Sequence, residues 1–266
     1  MRTNTLIFLG FIFLFVLKIT IKNPRGGDVL PPPTFKGIVP KYNVLNRFFD
    51  KIVCVTLPER KKRIQSIFHR WGLKVEIHDA YLKKNINRPK LIEEGFLSPS
   101  CSLNDGRVCC HYSHTQIYRK FMKSPQLQNI LIFEDDLDEG PRNVEEFNRL
   151  IIPYLINLPK DWDYVNFGPC HEICENNIRS NDYFQKSKSP KCRQAVAFNK
   201  KSMSKIVRKT SPMNHDPGDV MIADLIERNQ FKAYSSSQIL FRQKREELGT
   251  NLGNYGTARR CTLLSI

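Results

Sequence analysis

Three consecutive acids, Glu134-Asp135-Asp136, follow directly on the apolar run Asn129-Ile-Leu-Ile-Phe133. Such a run reads as a buried central strand. Charged groups at the carboxyl end of a strand sit where open α/β sheets bind ligands. Clustered carboxylates repel one another unless a cation is present, and hard oxygen ligands suit Mn2+ or Mg2+. An ion held there could bridge a diphosphate and neutralise its charge as it leaves. On an extended chain Glu134 and Asp136 point to one side and Asp135 to the other. The plainer alternative is a solvated turn that caps a strand.

Other residues carry chemistry more ambiguously. Thr56-Leu57-Pro58-Glu59-Arg60-Lys61-Lys62-Arg63 joins an apolar strand to a helix start, and a helix N-terminus flanked by cations is a phosphate site. Lys61 and Lys62 read as the solvated face of that helix, whereas Arg60 and Arg63 suit either role. His111 and His114 lie three apart on an expected helix and share a face, as metal ligands, substrate contacts or core histidines. Asp216 and Asp219 precede an apolar helix and suit either its cap or a general base placed against a hydroxyl. Cys170-His171-x-x-Cys174 has zinc-like spacing but no second ligand pair. Cys109 and Cys110 are adjacent and cannot both face a core from a regular helix.

The elements that must position these groups alternate strand and helix. Lys51–Leu57 reads as a buried parallel strand and Glu59–Trp71 as a helix, opened by Pro58 and stopped by Gly72. Ile64, Ile67, Phe68 and Trp71 form its apolar face. Lys74–His78 reads as a second strand, Asp79–Gly106 as loop and Val108–Met122 as a helix. Val144–Ile156 is helical, Trp162–Phe167 a strand and Cys170–Lys191 an irregular loop. Arg193–Phe198 is a strand, Lys200–Lys209 a helix, and Asp219–Asn229 a helix with Val220, Ile222, Ala223 and Ile226 inward. Phe231–Phe241 holds one or two strands. This order describes an α/β domain.

The chain has 266 residues and a net charge of +16, from 42 Lys+Arg against 26 Asp+Glu. Such a balance favours anionic partners. The basic residues are dispersed, with no interleaved aromatic stripe, zinc-finger spacing or RNA-recognition signature, so nucleic acid is not an expected partner. Residues 1–22 contain the apolar run from Thr5 to Ile21 and read as an uncleaved signal-anchor helix, because Lys22-Asn23-Pro24-Arg25 follows instead of a small-residue cleavage site. Residues 23–46 are rich in Pro and Gly and read as a stem, and 47–266 as the catalytic domain. The eight cysteines suit loop disulfides in a lumenal domain or free thiols in a cytosolic one.

Five segments resemble glycosyltransferase family 25, the lipooligosaccharide and procollagen galactosyltransferases. Ile52-Val-Cys-Val-Thr-Leu-Pro-Glu-Arg-Lys-Lys-Arg63 is similar to the family's opening strand and Asn-Leu-x-x-Arg-x-x-Arg turn, with Thr56 in place of Asn. Val108-Cys-Cys-His-Tyr-Ser-His114 resembles the Gly-Cys-x-x-Ser-His helix through Ser113-His114. Leu131-Ile-Phe-Glu-Asp-Asp136 is close to the Leu-Glu-Asp-Asp signature. Asp161-Trp-Asp-Tyr-Val-Asn-Phe-Gly168 and Asp219-Val-Met-Ile-Ala-Asp224 resemble later segments. Cys192-Arg193-Gln194 departs from the family, which often has Gly before the following strand.

The resemblance implies a GT-A-type, Rossmann-like nucleotide-sugar domain with a mainly parallel central sheet, a UDP-sugar donor, commonly UDP-galactose, and a divalent metal, Mn2+ or Mg2+. It implies inverting transfer to a hydroxyl of a glycan, glycolipid or glycoprotein. Asp219, or alternatively Asp216, would be the base. Asp136 with Glu134 would hold the metal and diphosphate. Thr56, Leu57, Arg60, Arg63, Asp135 and His114 would line the donor site. It also implies a type II membrane protein of the ER or Golgi with a lumenal domain. The competing readings are a non-catalytic relative of the same fold and a basic, membrane-tethered binding protein.

Overall fold

The computed structural model describes residues 37–172 and 180–249. The expected signal-anchor lies outside them, as do most of the stem and Cys174. Among the described residues no helix is long and apolar enough to cross a membrane.

Among the described residues seven strands form one mixed sheet: β1 Lys51–Thr56, β2 Glu76–Asp79, β3 Asn129–Glu134, β4 Tyr164–Asn166, β5 Phe184–Lys186, β6 Ala195–Asn199 and β7 Ala233–Ser236. Their order is β2-β1-β3-β6-β4-β7-β5. β1 pairs in parallel with β2 and β3, and β4 with β7. β6 runs antiparallel to β3 and β4, and β5 antiparallel to β7. Five strands therefore share one direction, and an internal strand and an edge strand are reversed.

Among the described residues eight α-helices surround the sheet: α1 Leu45–Phe48, α2 Lys61–Arg70, α3 Arg88–Glu93, α4 Asp105–Met122, α5 Val144–Ile156, α6 Lys200–Lys209, α7 Gly218–Glu227 and α8 Arg245–Leu248. Local chemistry sets their ends. Asn104, Asn143 and Asn199 cap α4, α5 and α6, each side chain accepting a hydrogen bond from an N–H of the first turn. Gly72 ends the turn after α2 at φ +61°, a conformation that costs glycine little.

The pleat of β3 divides the core. Leu131 and Phe133 join Ile64, Phe68, Trp71, Phe147 and Ile151 on the α2/α5 face. Ile130 and Ile132 join Tyr118, Phe121, Met203, Ile206, Ile222 and Ile226 on the α4/α6/α7 face. The expected inward face of α2 is correct at all four positions. On α7, Ile222, Ala223 and Ile226 are buried, whereas Val220 is only partly so.

Two segments differ from expectation. α3 forms inside the stretch read as loop, capped by the Asn87 side chain with Pro89 in its first turn. It is too short to show a helical period. β5 forms inside the polar stretch Cys170–Lys191, because an edge strand needs only a neighbour's free hydrogen bonds, and β7 supplies them. The span Phe231–Phe241 yields a single strand, β7. At the start of the domain, Asn43 is buried and its amide donates to Trp71 O, while Asn148 Nδ2 donates to the carbonyls of Pro40 and Tyr42.

Phe133 is fully buried, with its ring 5.5 Å from Phe68 and 5.1 Å from Phe241. Phe133→Ala is expected to lower the unfolding free energy by about 3–5 kcal/mol, read from urea denaturation. A loss below about 1 kcal/mol would show that this face is not the structural centre.

Candidate active site at the carboxyl end of β3

The alternation that sorts apolar residues along β3 continues into the acids. Glu134 turns to the α4 face and Asp135 to the α2 face. Asp135 is almost fully buried. Its carboxylate accepts from Leu57 N–H at 2.6 Å and from Arg60 Nη1 at 3.1 Å. Arg63 donates to Asp135 O and Leu137 O at 3.3 and 2.6 Å. Burial pushes the Asp135 carboxyl above its usual pKa, against the pull of Leu57 N–H and Arg60. Arg60 also donates to Leu248 O at 2.7 Å, so the end of α8 lies against it. Lys61 pairs instead with exposed Asp79 at 3.0 Å, in keeping with a solvated face.

On the other face, the Glu134 carboxylate meets buried His114 Nε2 at 2.9 Å. Cys110, one helical turn before His114, brings its Sγ to the same place. Sγ, Nε2 and a Glu134 carboxylate oxygen all lie within 4.8 Å of one another. Arg193 reaches in from the segment before β6 and is itself buried. Its Nη1 donates to His111 Nδ1 at 3.3 Å and its Nη2 to Cys110 Sγ at 3.4 Å. Burial disfavours the charged guanidinium, but Cys110, Tyr118, Glu134 and Asp219 more than offset it and hold Arg193 cationic.

Asp219 stands in the first turn of α7, and its Oδ2 accepts from Cys192 N–H at 3.1 Å. Gly218 abuts the His111 ring so closely that a Cβ there would collide with it. Asp216 is exposed in the turn leading to α7. Cys192, at φ +67°, forms a disulfide with Cys170. That bond engages the Cys170 sulfur and removes it from the zinc-like Cys170-His171-x-x-Cys174 spacing.

Two groups of expected residues thus emerge. Thr56, Leu57, Arg60, Arg63 and Asp135 gather at the end of β1. Glu134, His114 and Asp219 gather around Arg193. Asp136 lies in the turn between them, its carbonyl accepting from Lys244 N–H at 2.7 Å. Sequence reasoning assigned no role to Arg193 and Cys110. The Cys110–His114 spacing of four on one helix face was the available signal. Arg193 gave none, since its partners are distant in sequence. His111 proves to be a satisfied core histidine, stacked on Phe96 with Nε2 3.3 Å from Thr210 O.

Asp135→Ala strips Leu57 N–H and Arg60 of a buried acceptor. It is expected to cost about 3 kcal/mol in urea unfolding, and Asp135→Asn, which keeps an acceptor, less. Equal losses in both variants would contradict the brace. A second expectation concerns acid. Burial first, and then the charge of Arg193, hold the His111 and His114 pKa values well below the ordinary value. Below about pH 6.5 the unfolded chain therefore takes up protons that the native chain refuses. The stability these groups allow is present above that pH and lost as pH falls. Each contributes a slope of about 1.4 kcal/mol per pH unit. His111→Gln should reduce the measured slope between about pH 6.5 and 5 by that amount; an unchanged slope would mean His111 is protonated in the native state.

Against known proteins, no curated protein matches the sequence. Among solved structures, A197 from STIV is similar with TM-score 0.39 and 5% identity, over 72% of this chain and 83% of that one. A glycosyltransferase involved in the glycosylation of the major capsid of PBCV-1 is similar with TM-score 0.31 and 10% identity, over 59% of this chain and 65% of that one. Mouse xyloside xylosyltransferase 1 has TM-score 0.31 and 10% identity, over 68% of this chain and 64% of that one. The chain thus spans just under two thirds of the latter two, and at these TM-scores the likeness decides nothing. The sequence family is decisive. The description "Glycosyltransferase family 25 (LPS biosynthesis protein)" matches residues 55–210, from the first strand through the acids of β3 to the end of α6. That is more than half of the chain, which belongs to glycosyltransferase family 25.

Proposed function

We propose that this family 25 glycosyltransferase moves a hexose, galactose by preference, from a UDP-sugar to a hydroxyl of a glycan, glycolipid or glycoprotein, with inversion. One observation carries the reading: Glu134 and Asp219, from elements 85 residues apart in sequence, converge beside one buried cation at the ligand-binding end of the parallel strands. A solvated turn would not need a buried guanidinium whose charge two acids support.

In this reading Asp219 is the base. Cys192 N–H fixes the orientation of its carboxylate, which would take the acceptor's proton as the hydroxyl attacks the anomeric carbon. Asp216, exposed and outside the cluster, is the weaker candidate. Arg60 and Arg63, at the end of β1, would lie near the donor's nucleotide, with Thr56 and Leu57 as its backbone wall. Asp135 positions Arg60 and the Leu57 turn. The fit to a hard divalent ion rests on oxygen donors. Glu134 and Asp136 offer carboxylates at the strand end, and such ions are held by one or two carboxylates together with substrate phosphates. Bound there, Mn2+ or Mg2+ would neutralise the departing diphosphate.

A lumenal ER or Golgi location, with the N-terminal apolar segment as a membrane anchor, is consistent with the Cys170–Cys192 disulfide, since disulfides persist in oxidising compartments.

The test is a donor screen on the full-length chain in detergent, with UDP-galactose, UDP-glucose and UDP-N-acetylglucosamine, with and without Mn2+. One donor should be turned over. Asp219→Asn should lower kcat by about 10²–10⁴-fold with little change in donor KM, and Asp136→Ala should remove the metal dependence. Folded protein that turns over no UDP-sugar, or an unimpaired Asp219→Asn, would refute this assignment.

A further inference from the structure

We infer that Cys110, His114 and Glu134 form a binding site for one borderline-soft divalent ion of the Zn2+ or Co2+ type. The inference rests on side-chain geometry and not on the transferase reading. It also differs in chemistry from a hard ion held by Glu134 and Asp136.

The backbone makes the site. Cys110 and His114 lie four apart in α4, so both side chains emerge on one face. That face looks at the last residue of β3, whose pleat turns Glu134 toward it. The three donor atoms fall within 4.8 Å of one another. Zinc ligands sit about 2.0–2.3 Å from the metal, which places them roughly 3–4 Å apart. Small side-chain adjustments would close the set around a common centre.

The donors are one sulfur, one imidazole nitrogen and one carboxylate oxygen. Thiolate and imidazole select Zn2+ and similar ions, whereas Mg2+ and Mn2+ prefer oxygen. In the metal-free protein His114 Nε2–H donates to the Glu134 carboxylate at 2.9 Å, and metal binding would shift that proton to Nδ1, which is buried with no hydrogen-bond partner, freeing the Nε2 lone pair. Burial pushes the Cys110 thiol pKa up to about 12 against the pull of Arg193, so the proton leaves only as the ion binds, and Arg193 Nη2, 3.4 Å from Sγ, is then an outer donor to the thiolate. The charges also balance. Thiolate and carboxylate neutralise the ion, and Asp219 adds negative potential at the guanidinium. His114 is enclosed, but Cys110 and Glu134 remain partly exposed. Three protein ligands with an open fourth position are the arrangement of a reactive zinc rather than a closed structural one.

The probe is the metal alone. Full-length protein in detergent is stripped with a chelator, dialysed against Co2+, and measured for bound metal and absorbance. The expected result is one equivalent of Co2+, a thiolate-to-cobalt charge-transfer band in the near ultraviolet, and displacement by Zn2+. Cys110→Ser should abolish the band and weaken binding by at least about tenfold, because losing a ligand costs no less than losing an outer-shell partner. Cys109→Ser, one residue away on the same helix, should leave both unchanged. Circular dichroism and melting of each apo variant separate ligand loss from unfolding. Absence of bound metal, or a band that persists in Cys110→Ser, would overturn the site. Cobalt bound without a thiolate band and lost in Asp136→Ala would place the ion on the carboxylates instead. Metal binding with the expected signature but no sugar transfer would leave this site standing while refuting the transferase assignment.

Discussion

The site depends on one geometric constraint: successive side chains of β3 leave the sheet on opposite faces. The same two-residue period that buries Phe133 under α2 and Ile132 under α4 delivers Asp135 and Glu134 to different environments. Adjacent carboxylates in a shared pocket would repel each other, and one would be driven neutral. Here each has its own cation, Arg60 for Asp135 and Arg193 near Glu134. A register slip of one residue would exchange the two acids and move each apolar residue of β3 into the opposite core, where it does not fit. Parallel pairing with β1 and antiparallel pairing with β6 hold that register from both sides. The stability of the core and the placement of the chemistry are therefore one requirement.

Division of labour follows from environment. Asp135 is braced by a backbone amide and a guanidinium, and its carboxylate ties the end of β3 to the turn after β1. It acts on the site by holding Arg60 and Leu57 in place. Glu134 keeps partial contact with solvent and faces a sulfur and an imidazole. An identical functional group thus serves as a structural clasp in one position and as a prospective ligand in the next.

Local periodicity was legible from sequence. The alternating strands and helices, the buried face of α2 and the strand feeding the acids all follow from apolar spacing within one element. The opposed directions of Glu134 and Asp135 also followed from the strand period alone. Short elements were not legible. α3 has too few residues for a period, and β5 is a strand only because β7 lies beside it. Buried polar partnerships were hidden for the same reason. Glu172 sits in the loop after β4, yet its carboxylate accepts from Ser187, Ser235 and the amides of Lys188 and Ser189. Nothing near it in sequence announces a buried acid. Cys192-Arg193-Gln194 was visible only as a departure from the family pattern. Its meaning depends on α4 and α7, which the fold brings to it.

Arg193 shows why such a departure is not neutral. A guanidinium taken out of water costs several kcal/mol unless its charge and hydrogen-bond donors are met. His111 and Cys110 take hydrogen bonds, and Glu134 and Asp219 supply the negative potential. The two acids thus act as counter-charges for a buried cation. The arrangement couples the fold to the site in both directions. The segment carrying Arg193 is tied to α7 by the bond from Cys192 N–H to Asp219 and to the segment after β4 by the Cys170–Cys192 disulfide. The site's electrostatics are therefore set by the folded chain itself, which is the preorganisation that lets charged groups act without reorganising during the reaction.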